Sequence, residues 1–363
     1  MNILIDPEKR PYYLQVYKAL REEIIRGTFP YNSRLPSRRL MAEETGLSTV
    51  TVEHAYELLC EEGYAEARER SGYFAVFRSG DAFSVAHEAP EERRTAEKSE
   101  PEETGLSAAL LARTMRRVLS EQEDRLLLRS PNAGLEELRT SIRNYLARNR
   151  GIQTGTHQIV IGSGAEYLYG QIIALLGKDR IYAIESPAYE KLEQIYRAAG
   201  VTLRLLPLTR HGIDSAALAA TDASVLHTTP YRSFPSGVTA SASKRHEYIR
   251  WAGKSGRILI ESDHDAEFSV ASKPAETLFS LTDRDNVIYL NTFSKSISPA
   301  IRVAYMVLPE SLVPEYEKKL GFYSCTVPTF EQLLLAELLG SGDFERHINR
   351  VRRKLRREAE KKT

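Results

Sequence analysis

The chain has 363 residues, 42% of them hydrophobic, and its 50 Lys and Arg residues nearly balance 49 Asp and Glu residues to leave a net charge of +1. This length predicts about two or three domains, and the near-neutral charge excludes a general electrostatic preference for nucleic acid, so any basic surface has to be local. No apolar stretch approaches the ~18 residues of a membrane-spanning helix, and the amino-terminal segment MNILIDPEKR lacks a secretory pattern. The two cysteines, Cys60 and Cys325, are far apart in the sequence, which favours a reducing, cytoplasmic environment over a disulfide framework. No grouping of residues predicts a metal site.

Residues 11–77 show the pattern of a small helical module. A first helix is indicated by apolar residues at helical spacing that stop at Gly27, namely Tyr13, Tyr17, Leu20 and Ile24. Ser37 and Ser48 are each placed to cap the start of a further helix, because a serine side chain accepts a hydrogen bond from the first helical turn. Residues 64–77 predict a β-hairpin that turns near Ser71 and Gly72. Three helices followed by a hairpin predict a winged helix-turn-helix.

This arrangement places particular side chains against DNA. The second helix of the turn, residues 49–62, has the diameter to enter a major groove, with Thr49, Thr51 and His54 exposed near its start. The helix starts would contact phosphates, and the hairpin would lie against the backbone through Arg68, Arg70 and Tyr73. The predicted DNA-binding residues are Arg34, Ser37, Arg38, Arg39, Ser48, Thr49, Thr51, His54, Arg68, Gly72 and Tyr73. The alternative is a helical domain that makes protein contacts.

The module resembles the GntR winged-helix family across nearly all of residues 11–77. The matching segments are PYYLQVY from Pro11, RLPSRR from Arg34, AEETGLS from Ala42, Thr51-Val52 with Ala55-Tyr56, Glu62-Gly63-Tyr64, and SGYF from Ser71. The resemblance implies binding to an operator in double-stranded DNA. The family often has Arg where Thr49 stands and a similar donor where Glu53 stands, so the sequence preference should differ.

The chain changes character twice after the hairpin. Residues 78–104 are charged and almost free of large apolar residues, which predicts a mobile linker. From residue 105 to the end, strands alternate with helices, which predicts an α/β unit with a mostly parallel sheet. The predicted strands are residues 158–161, 180–184, 202–206, 224–228, 257–260, 287–290 and 303–308, and the last helix spans about 343–362.

A lysine between two strand-like runs is the strongest chemical signal. The run that begins at Asn286 leads to Ser294 and Lys295, and Arg302 opens the next run. An amine that can form a Schiff base, hydroxyls that can hold phosphate oxygens and a guanidinium that can neutralise them suit an aldehyde cofactor carrying a phosphate.

The second part of the chain resembles a fold-type I aminotransferase, and with the first module the architecture is similar to the MocR-type subfamily of GntR regulators. The matching segments are SPNAGLEELR from Ser130, GSGAEYL from Gly162, ESPAY from Glu185, Thr229-Pro230 with FPSG from Phe234, Glu261 with DAEF from Asp265, and TFSKS from Thr292.

This resemblance implies a site for pyridoxal 5′-phosphate. Lys295 would be the catalytic lysine that forms the Schiff base, and Ser294 and Arg302 would bind the phosphate. Gly164, Ala165 and Glu166 would offer backbone amides at a helix start, where an anion is favoured. Tyr189 would stack on the pyridine ring.

The same resemblance exposes departures. Ser262 stands where the family has the aspartate under the pyridine nitrogen, and His264 replaces a tyrosine near the ring hydroxyl. The neighbouring Asp263 should point to the opposite face of the strand. Arg232-Ser233 replaces a His-Gln pair. A serine supplies no charge that keeps the ring nitrogen protonated, so we expect weak or absent transamination.

The family continues beyond the Asp343 helix into a small domain with an arginine that grips the substrate carboxylate. This chain ends at Thr363, so we expect that domain to be absent. The basic run at 350–357 would then be a solvated helix face, although it also permits a nucleic-acid patch.

Three functions are compatible with these patterns. The first is a transcriptional regulator, in which an amine or amino-acid effector exchanges with Lys295 on the cofactor and shifts the DNA modules of a homodimer. The second is an aminotransferase with an appended DNA-binding module. The third is a degenerate regulator whose aminotransferase-like part is only a dimerisation scaffold, which the changes at Ser262 and His264 favour.

Overall fold

The computed structural model describes residues 5–6, 10–69, 71–77, 105–254, 256–269 and 276–362. The chain divides into two compact units, Met1–Glu97 and Lys98–Thr363. The predicted linker at 78–104 and the predicted wing residue Arg70 lie outside the described residues. Among the helices that are described, none combines the length and apolarity needed to cross a membrane.

The first unit contains three helices and a two-stranded antiparallel hairpin. Helix α1 spans Tyr12–Ile25, α2 Arg38–Thr45 and α3 Thr49–Glu61, and the hairpin pairs β1 (Ala65–Arg68) with β2 (Gly72–Ala75). The apolar stripes predicted from the sequence face inward and form one core, whose fully buried members include Val16, Leu20, Met41, Val52, Tyr56 and Leu59. The predicted winged helix-turn-helix is confirmed.

Two serine caps define the starts of α2 and α3. Ser37 Oγ accepts a hydrogen bond from the Leu40 amide at 3.2 Å, and Ser48 Oγ accepts one from the Thr51 amide at 3.1 Å. Gly46 ends α2 with a φ of +69°, a left-handed conformation that glycine adopts without steric cost. Local signals in the sequence thus start both helices and end α2.

The second unit alternates helices with strands. Its helices are α4 (Ala108–Glu121), α5 (Glu123–Leu126), α6 (Glu136–Arg150), α7 (Ala165–Leu176), α8 (Glu190–Ala198), α9 (Ser215–Ala220), α10 (Ala242–Ala252), α11 (Leu278–Leu281), α12 (Val313–Leu320), α13 (Thr329–Gly340) and α14 (Asp343–Lys362). Its strands are β3 (Ile159–Gly162), β4 (Ile181–Ser186), β5 (Thr202–Thr209), β6 (Gly212–Ile213), β7 (Val225–Thr228), β8 (Ile258–Ser262), β9 (Val287–Thr292) and β10 (Ala304–Val307). Short 3₁₀ turns lie at Thr156–Gln158, Ala266–Phe268 and Glu310–Leu312.

These strands form one eight-stranded sheet in the order β3-β10-β9-β8-β7-β4-β5-β6. The pairs from β9 through β8, β7 and β4 to β5 are parallel, whereas β10 is antiparallel to both of its neighbours. All seven predicted strands are present, and the mostly parallel α/β sheet is confirmed. The strand β6 was missed, because two residues carry no alternation that sequence reading can detect.

The sheet topology positions a site at its carboxyl edge. Parallel strands end on the same side of a sheet, so the residues that follow them are brought together. Tyr189 follows β4, Thr229 follows β7, His264 follows β8 and Ser294 follows β9, while α7 begins just after β3. Apolar cores lie on both faces of the sheet and hold these strand ends in register.

Candidate functional site

A cavity of about 420 Å³ opens at this carboxyl edge of the sheet. It contains both cations that the sequence selected, Lys295 and Arg302, together with Tyr189. The full lining is Ala165, Glu166, Tyr169, Tyr189, Thr229, Arg232, Phe234, His264, Asp265, Thr292, Ser294, Lys295 and Arg302.

Lys295 lies in the turn after β9 and faces a carboxylate. Its Nζ donates to Asp265 Oδ1 at 2.9 Å, and its side chain is 43% exposed. An amine at the mouth of a cavity is accessible to an aldehyde, and the carboxylate orients it. Asp265 belongs to a segment that matches the aminotransferase pattern, but the sequence analysis did not assign it to the site. Its position two residues past Asp263 puts it in the loop after β8, where the chain leaves the sheet.

Arg302 reaches the start of α7 and meets an internal anion. Its Nη2 lies 2.7 Å from Glu166 Oε2, and Lys191 Nζ lies 3.4 Å from the other oxygen of the same carboxylate. Gly164 precedes the helix with a φ of +91°, and a Cβ there would lie 2.7 Å from Arg302 Nη2. Glycine therefore allows the guanidinium to approach the helix start, where backbone amides favour an anion.

Ser294 completes the predicted anion-binding end. Its Oγ donates to the Ile301 carbonyl at 2.7 Å and accepts from Thr292 Oγ1 at 3.2 Å. These bonds place the hydroxyl beside Lys295 and on the wall of the cavity. The Arg302 guanidinium is suited to donate to phosphate oxygens, and the Ser294 and Thr292 hydroxyls would donate to them on rotating away from their internal acceptors.

Two aromatic side chains form the outer wall. Tyr189 and Phe234 pack edge to face with ring centroids 6.2 Å apart. They are 39% and 61% exposed, so an apolar surface faces the cavity mouth. Phe234 belongs to a segment that matched the family pattern, but it was not selected as a site residue.

His264 lies inside the cavity as a neutral group. Burial and the nearby Lys295 ammonium lower the pKa of its imidazole to about 4. Its Nε2 is 3.0 Å from Tyr169 Oη, whereas its buried Nδ1 has no hydrogen-bond partner in the described part of the chain. Tyr169 lies one helical turn into α7, and the sequence reading did not select it because a buried tyrosine on a helix is usually a packing residue.

The structure departs from the sequence prediction at Ser262. This side chain does not line the cavity and is only 1% exposed. Its Oγ is 2.7 Å from His227 Nε2, and His227 Nδ1 is in turn 2.9 Å from Tyr196 Oη. Burial lowers the pKa of His227 to about 3, so it is neutral with both nitrogens bonded. Ser262 is thus part of a buried network in the core.

Asp263 also lies outside the cavity, on the side opposite to Ser262, as expected for successive strand residues. Its carboxylate forms a buried ion pair with Arg150 and accepts a hydrogen bond from Tyr289 Oη at 2.7 Å. The expectation that Asp263 points away from Ser262 agrees with this geometry. Its predicted place among the cofactor contacts does not, since Arg150 holds it in the core.

Two further carboxyls lie near Asp263. Glu261 accepts from the Leu278 and Phe279 amides at 2.8 and 3.0 Å, and Glu267 accepts from Asn291 Nδ2 at 2.7 Å. Burial, followed by repulsion from Asp263, raises the pKa of Glu261 to about 8 and that of Glu267 to about 7.

In the first unit, the predicted groove-facing residues lie along the start of α3. Thr49 and His54 are exposed, and Thr51 is half-buried. The Thr51 hydroxyl lies 2.8 Å from Ser48 Oγ, so it supports the helix cap. The His54 ring stacks on Tyr13 with centroids 4.1 Å apart, which restricts its orientation.

The predicted phosphate contacts surround this helix start. Arg38 is exposed but forms an ion pair with Glu53 of α3, and Arg39 is exposed beside it. In the hairpin, Arg68 donates to Asn32 Oδ1 at 2.6 Å, and its guanidinium carbon is 4.3 Å from the Phe74 ring centroid.

Arg34 and Tyr73 connect the wing to the helices. A Cβ on Gly72, whose φ is +101°, would lie 3.4 Å from Arg34 Nε. Tyr73 packs edge to face on Tyr56, with centroids 4.8 Å apart. These contacts give the wing a definite position against α3.

The predicted basic face of α14 is present in the second unit. Arg350, Arg353 and Arg357 are exposed along one side of the helix, whereas Ile348 and Val351 are buried against the core. The helix is therefore amphipathic, as its apolar spacing requires.

Comparisons with known proteins agree with both units. The family model of aminotransferase class I and II matches residues 102–361, and that of the gntR family of bacterial regulatory proteins matches residues 12–75. The uncharacterized HTH-type transcriptional regulator YdeL of Bacillus subtilis is 30% identical over 96% of this chain and 77% of its own length. The probable rhizopine catabolism regulatory protein MocR of Rhizobium meliloti is 24% identical over 94% of this chain and 74% of its own length.

Solved aminotransferases share the fold of the second unit. LysN, the α-aminoadipate aminotransferase of Thermus thermophilus, was solved with N-(5′-phosphopyridoxyl)-L-leucine. It is 26% identical to this chain with a TM-score of 0.61, over 72% of this chain and 67% of its own. An archaeal alanine:glyoxylate aminotransferase matches with a TM-score of 0.62 at 21% identity, over 68% of this chain and 63% of its own.

The fold and the matched families define the class: a DNA-binding winged helix-turn-helix carried on one chain with an aminotransferase-like unit. The chain belongs to the MocR-type GntR transcriptional regulators.

Proposed function

We propose that the second unit of this regulator binds pyridoxal 5′-phosphate in the described cavity and uses it to sense an effector that carries an amine. The observation that supports the proposal most directly is that Lys295, Arg302 and Tyr189 line one cavity. The DNA-binding unit would read an operator through the start of α3 and the wing.

The phosphate end of the cavity fits this cofactor. Glu166 places a carboxylate on Arg302 at 2.7 Å, which is the kind of contact that a phosphate oxygen would make with this guanidinium. Gly164 leaves the helix start open to that guanidinium, and Ser294 and Thr292 offer hydroxyls. Lys295 is the amine that would hold the aldehyde.

The residues that would surround the pyridine ring fit the cofactor in part. Tyr189 offers an aromatic face, and the unpartnered Nδ1 of His264 suits a ring hydroxyl. No carboxylate stands at Ser262, which is buried behind the cavity and bonded to His227. When bound, the cofactor supplies an aldehyde that reacts reversibly with primary amines. Because Ser262 supplies no charge that keeps the pyridine nitrogen protonated, the bound cofactor would be a weak electron acceptor. We therefore propose that the unit senses amines with little transaminase turnover.

The test is an absorbance titration of the purified full-length chain with pyridoxal 5′-phosphate. We expect a visible band in the wild type that Lys295→Ala abolishes, because the lysine is the covalent attachment point. Lys191→Ala is the matched control, since Lys191 lies near Glu166 but outside the lining of the cavity, and its band should remain. A band together with turnover of an amino donor would indicate an enzyme instead.

One observation favours a second candidate, in which the unit is only a scaffold. Lys295 and Arg302 are each neutralised by a carboxylate of the chain itself, Asp265 and Glu166. With the two cations assigned to the cofactor already paired, the cavity is stable without a ligand. Absence of any visible band in the wild type would support this candidate and contradict cofactor binding.

We further propose that the regulator acts as a homodimer, as the family resemblance implies. Exposed apolar side chains support a covered surface: Leu127 is 95%, Leu128 62% and Phe322 70% exposed. Hydrogen bonds from Thr329 Oγ1 to the Leu128 carbonyl and from Asn132 Nδ2 to the Gly321 carbonyl bring the two segments together. A single monomer peak in sedimentation velocity at micromolar concentration would contradict the dimer.

A further inference from the structure

We propose that Arg232 binds the carboxylate of the effector, which makes the effector an amino acid rather than a simple amine. This assignment rests on the proposed function of the cavity. Arg232 belongs to the Arg232-Ser233 pair that replaces a His-Gln pair of the family. It lies in the loop after β7, whereas Lys295 lies in the turn after β9.

The backbone around Arg232 is strained and firmly held. Its φ of +48° lies in the left-handed region, which is uncommon for any residue other than glycine. Its amide donates to Thr239 Oγ1 at 3.2 Å, and the amide of the next residue, Ser233, donates to the Val238 carbonyl at 2.9 Å. The buried Ser233 hydroxyl donates to Glu185. A strained residue that its surroundings hold in place is found most often at functional sites.

The charges in the cavity leave Arg232 without a counterion. Three cationic side chains line the cavity, and Asp265 and Glu166 are its acidic residues. Lys295 pairs with Asp265, and Arg302 pairs with Glu166. Within the described ranges, the Arg232 guanidinium has no ion pair or hydrogen bond. A carboxylate on the ligand would supply the counterion that Arg232 lacks.

A carboxylate is the group that a guanidinium binds best in such a place, because the two planar groups form paired hydrogen bonds. The aromatic wall of Tyr189 and Phe234 belongs to the same cavity and offers apolar surface for a side chain. Arg232 is exposed to solvent, so water competes for it and the contribution of the contact is moderate rather than large. An α-amino acid with an apolar side chain would offer a carboxylate to Arg232, an amine to the cofactor aldehyde and an apolar group to the aromatic wall.

The test compares two stable adducts of the cofactor by calorimetry on the full-length chain. The first is phosphopyridoxyl-leucine, and the second is phosphopyridoxyl-isopentylamine, which lacks only the carboxylate. We expect the wild type to bind the leucine adduct about tenfold more tightly, the scale of one charge-assisted hydrogen bond. Arg232→Gln should remove this preference by weakening the leucine adduct alone, and Arg232→Lys should restore part of it.

Two control variants separate this role from others. Arg302→Gln should weaken both adducts by the same factor, since it acts on the phosphate that they share. Arg210→Gln, on an exposed turn outside the cavity, should change neither. The ratio of the two affinities is the readout, and a merely structural role of Arg232 would leave that ratio unchanged.

The outcomes are distinct. Equal binding of both adducts by the wild type, or an undiminished preference in Arg232→Gln, overturns the assignment while cofactor binding stands. If the wild type binds neither adduct, the proposed function fails, and the assignment of Arg232 fails with it.

Discussion

At the scale of single residues, Glu166 and Glu53 show how this chain restrains its own cations. Each is a carboxylate paired with an arginine that the sequence assigns to a ligand: Arg302 for phosphate and Arg38 for DNA. Both pairs are partly exposed, and such pairs contribute little to stability, typically about 0.2–1 kcal/mol. Their larger effect is on the availability of the arginine.

Replacing Glu166 should therefore strengthen anion binding in the cavity. We expect Glu166→Gln to bind inorganic phosphate several-fold more tightly, up to about fivefold for the loss of a partly exposed ion pair. Isothermal titration calorimetry measures this, with Glu193→Gln as the control, because Glu193 pairs with Arg197 on α8 away from the cavity. Weaker phosphate binding by Glu166→Gln would show that its carboxylate organises the site rather than competing for it.

Replacing Glu53 should release Arg38 for phosphate contacts. We expect Glu53→Gln to bind duplex DNA more tightly, with the slope of log K against log salt steeper by about one counterion. Fluorescence anisotropy over a salt series is the measurement. Glu57→Gln removes a charge from the same helix without touching this ion pair and serves as the control. An identical change in both variants would mean that net charge alone is responsible.

At the scale of an element, the end of β8 decides what the cavity contains. Alternation along the strand directs Ser262 to a histidine and tyrosine network and Asp263 to Arg150. The chain then leaves the strand, and His264 and Asp265 enter the cavity. Of these four consecutive residues, Ser262 and Asp263 thus lie in the core, whereas His264 and Asp265 line the cavity.

The buried pair on this element should be important for stability. Asp263 and Arg150 have side chains that are 0% and 2% exposed. We expect Asp263→Asn to lower the free energy of unfolding by about 3–5 kcal/mol, because it removes the carboxylate of a buried ion pair. Urea denaturation of the second unit measures this. Asp222→Asn, which breaks the exposed pair with Arg204, should cost less than about 1 kcal/mol, and similar losses in both variants would contradict the account.

At the scale of the whole molecule, stability depends on carboxyls that the fold keeps protonated. Glu261 and Glu267 have pKa values raised to about 8 and about 7, chiefly by burial. The folded state therefore holds protons that the unfolded chain releases near its ordinary pKa of about 4.3. Their contribution to stability is complete at low pH and is lost as the pH rises through these raised pKa values.

The loss of stability with rising pH can be measured directly. From about pH 6 to about pH 8 the free energy of unfolding should fall, and Glu267→Gln should reduce that fall by about 1 kcal/mol, since glutamine is neutral at every pH. Urea titrations at both pH values measure the difference. Glu317→Gln changes an exposed carboxyl and should leave the fall unaltered. A fall of equal size in Glu267→Gln would mean that this carboxyl is already ionised in the folded protein.

Sequence reasoning captured the elements and the main cavity residues but not their partners. Ser294 and Lys295 were predictable because they follow one recognisable strand pattern, and Arg302 because it opens the next. Asp265, Tyr169 and Arg232 were not selected, because a single carboxylate, tyrosine or arginine carries no local signal of what it faces. Ser262 was selected from a motif, yet in the structure it is buried, bonded to His227 and absent from the cavity lining.

By itself, the sequence determined the winged helix-turn-helix, the alternating α/β unit and the lysine turn after β9, because caps, periodicity and turn residues act over a few neighbouring positions. Only the tertiary structure decided that Asp265 and Glu166 neutralise Lys295 and Arg302, and that Arg232 lines the same cavity without an ion pair to a described residue. Those pairings join residues from separate strands and helices, and they depend on how the sheet brings strand ends together.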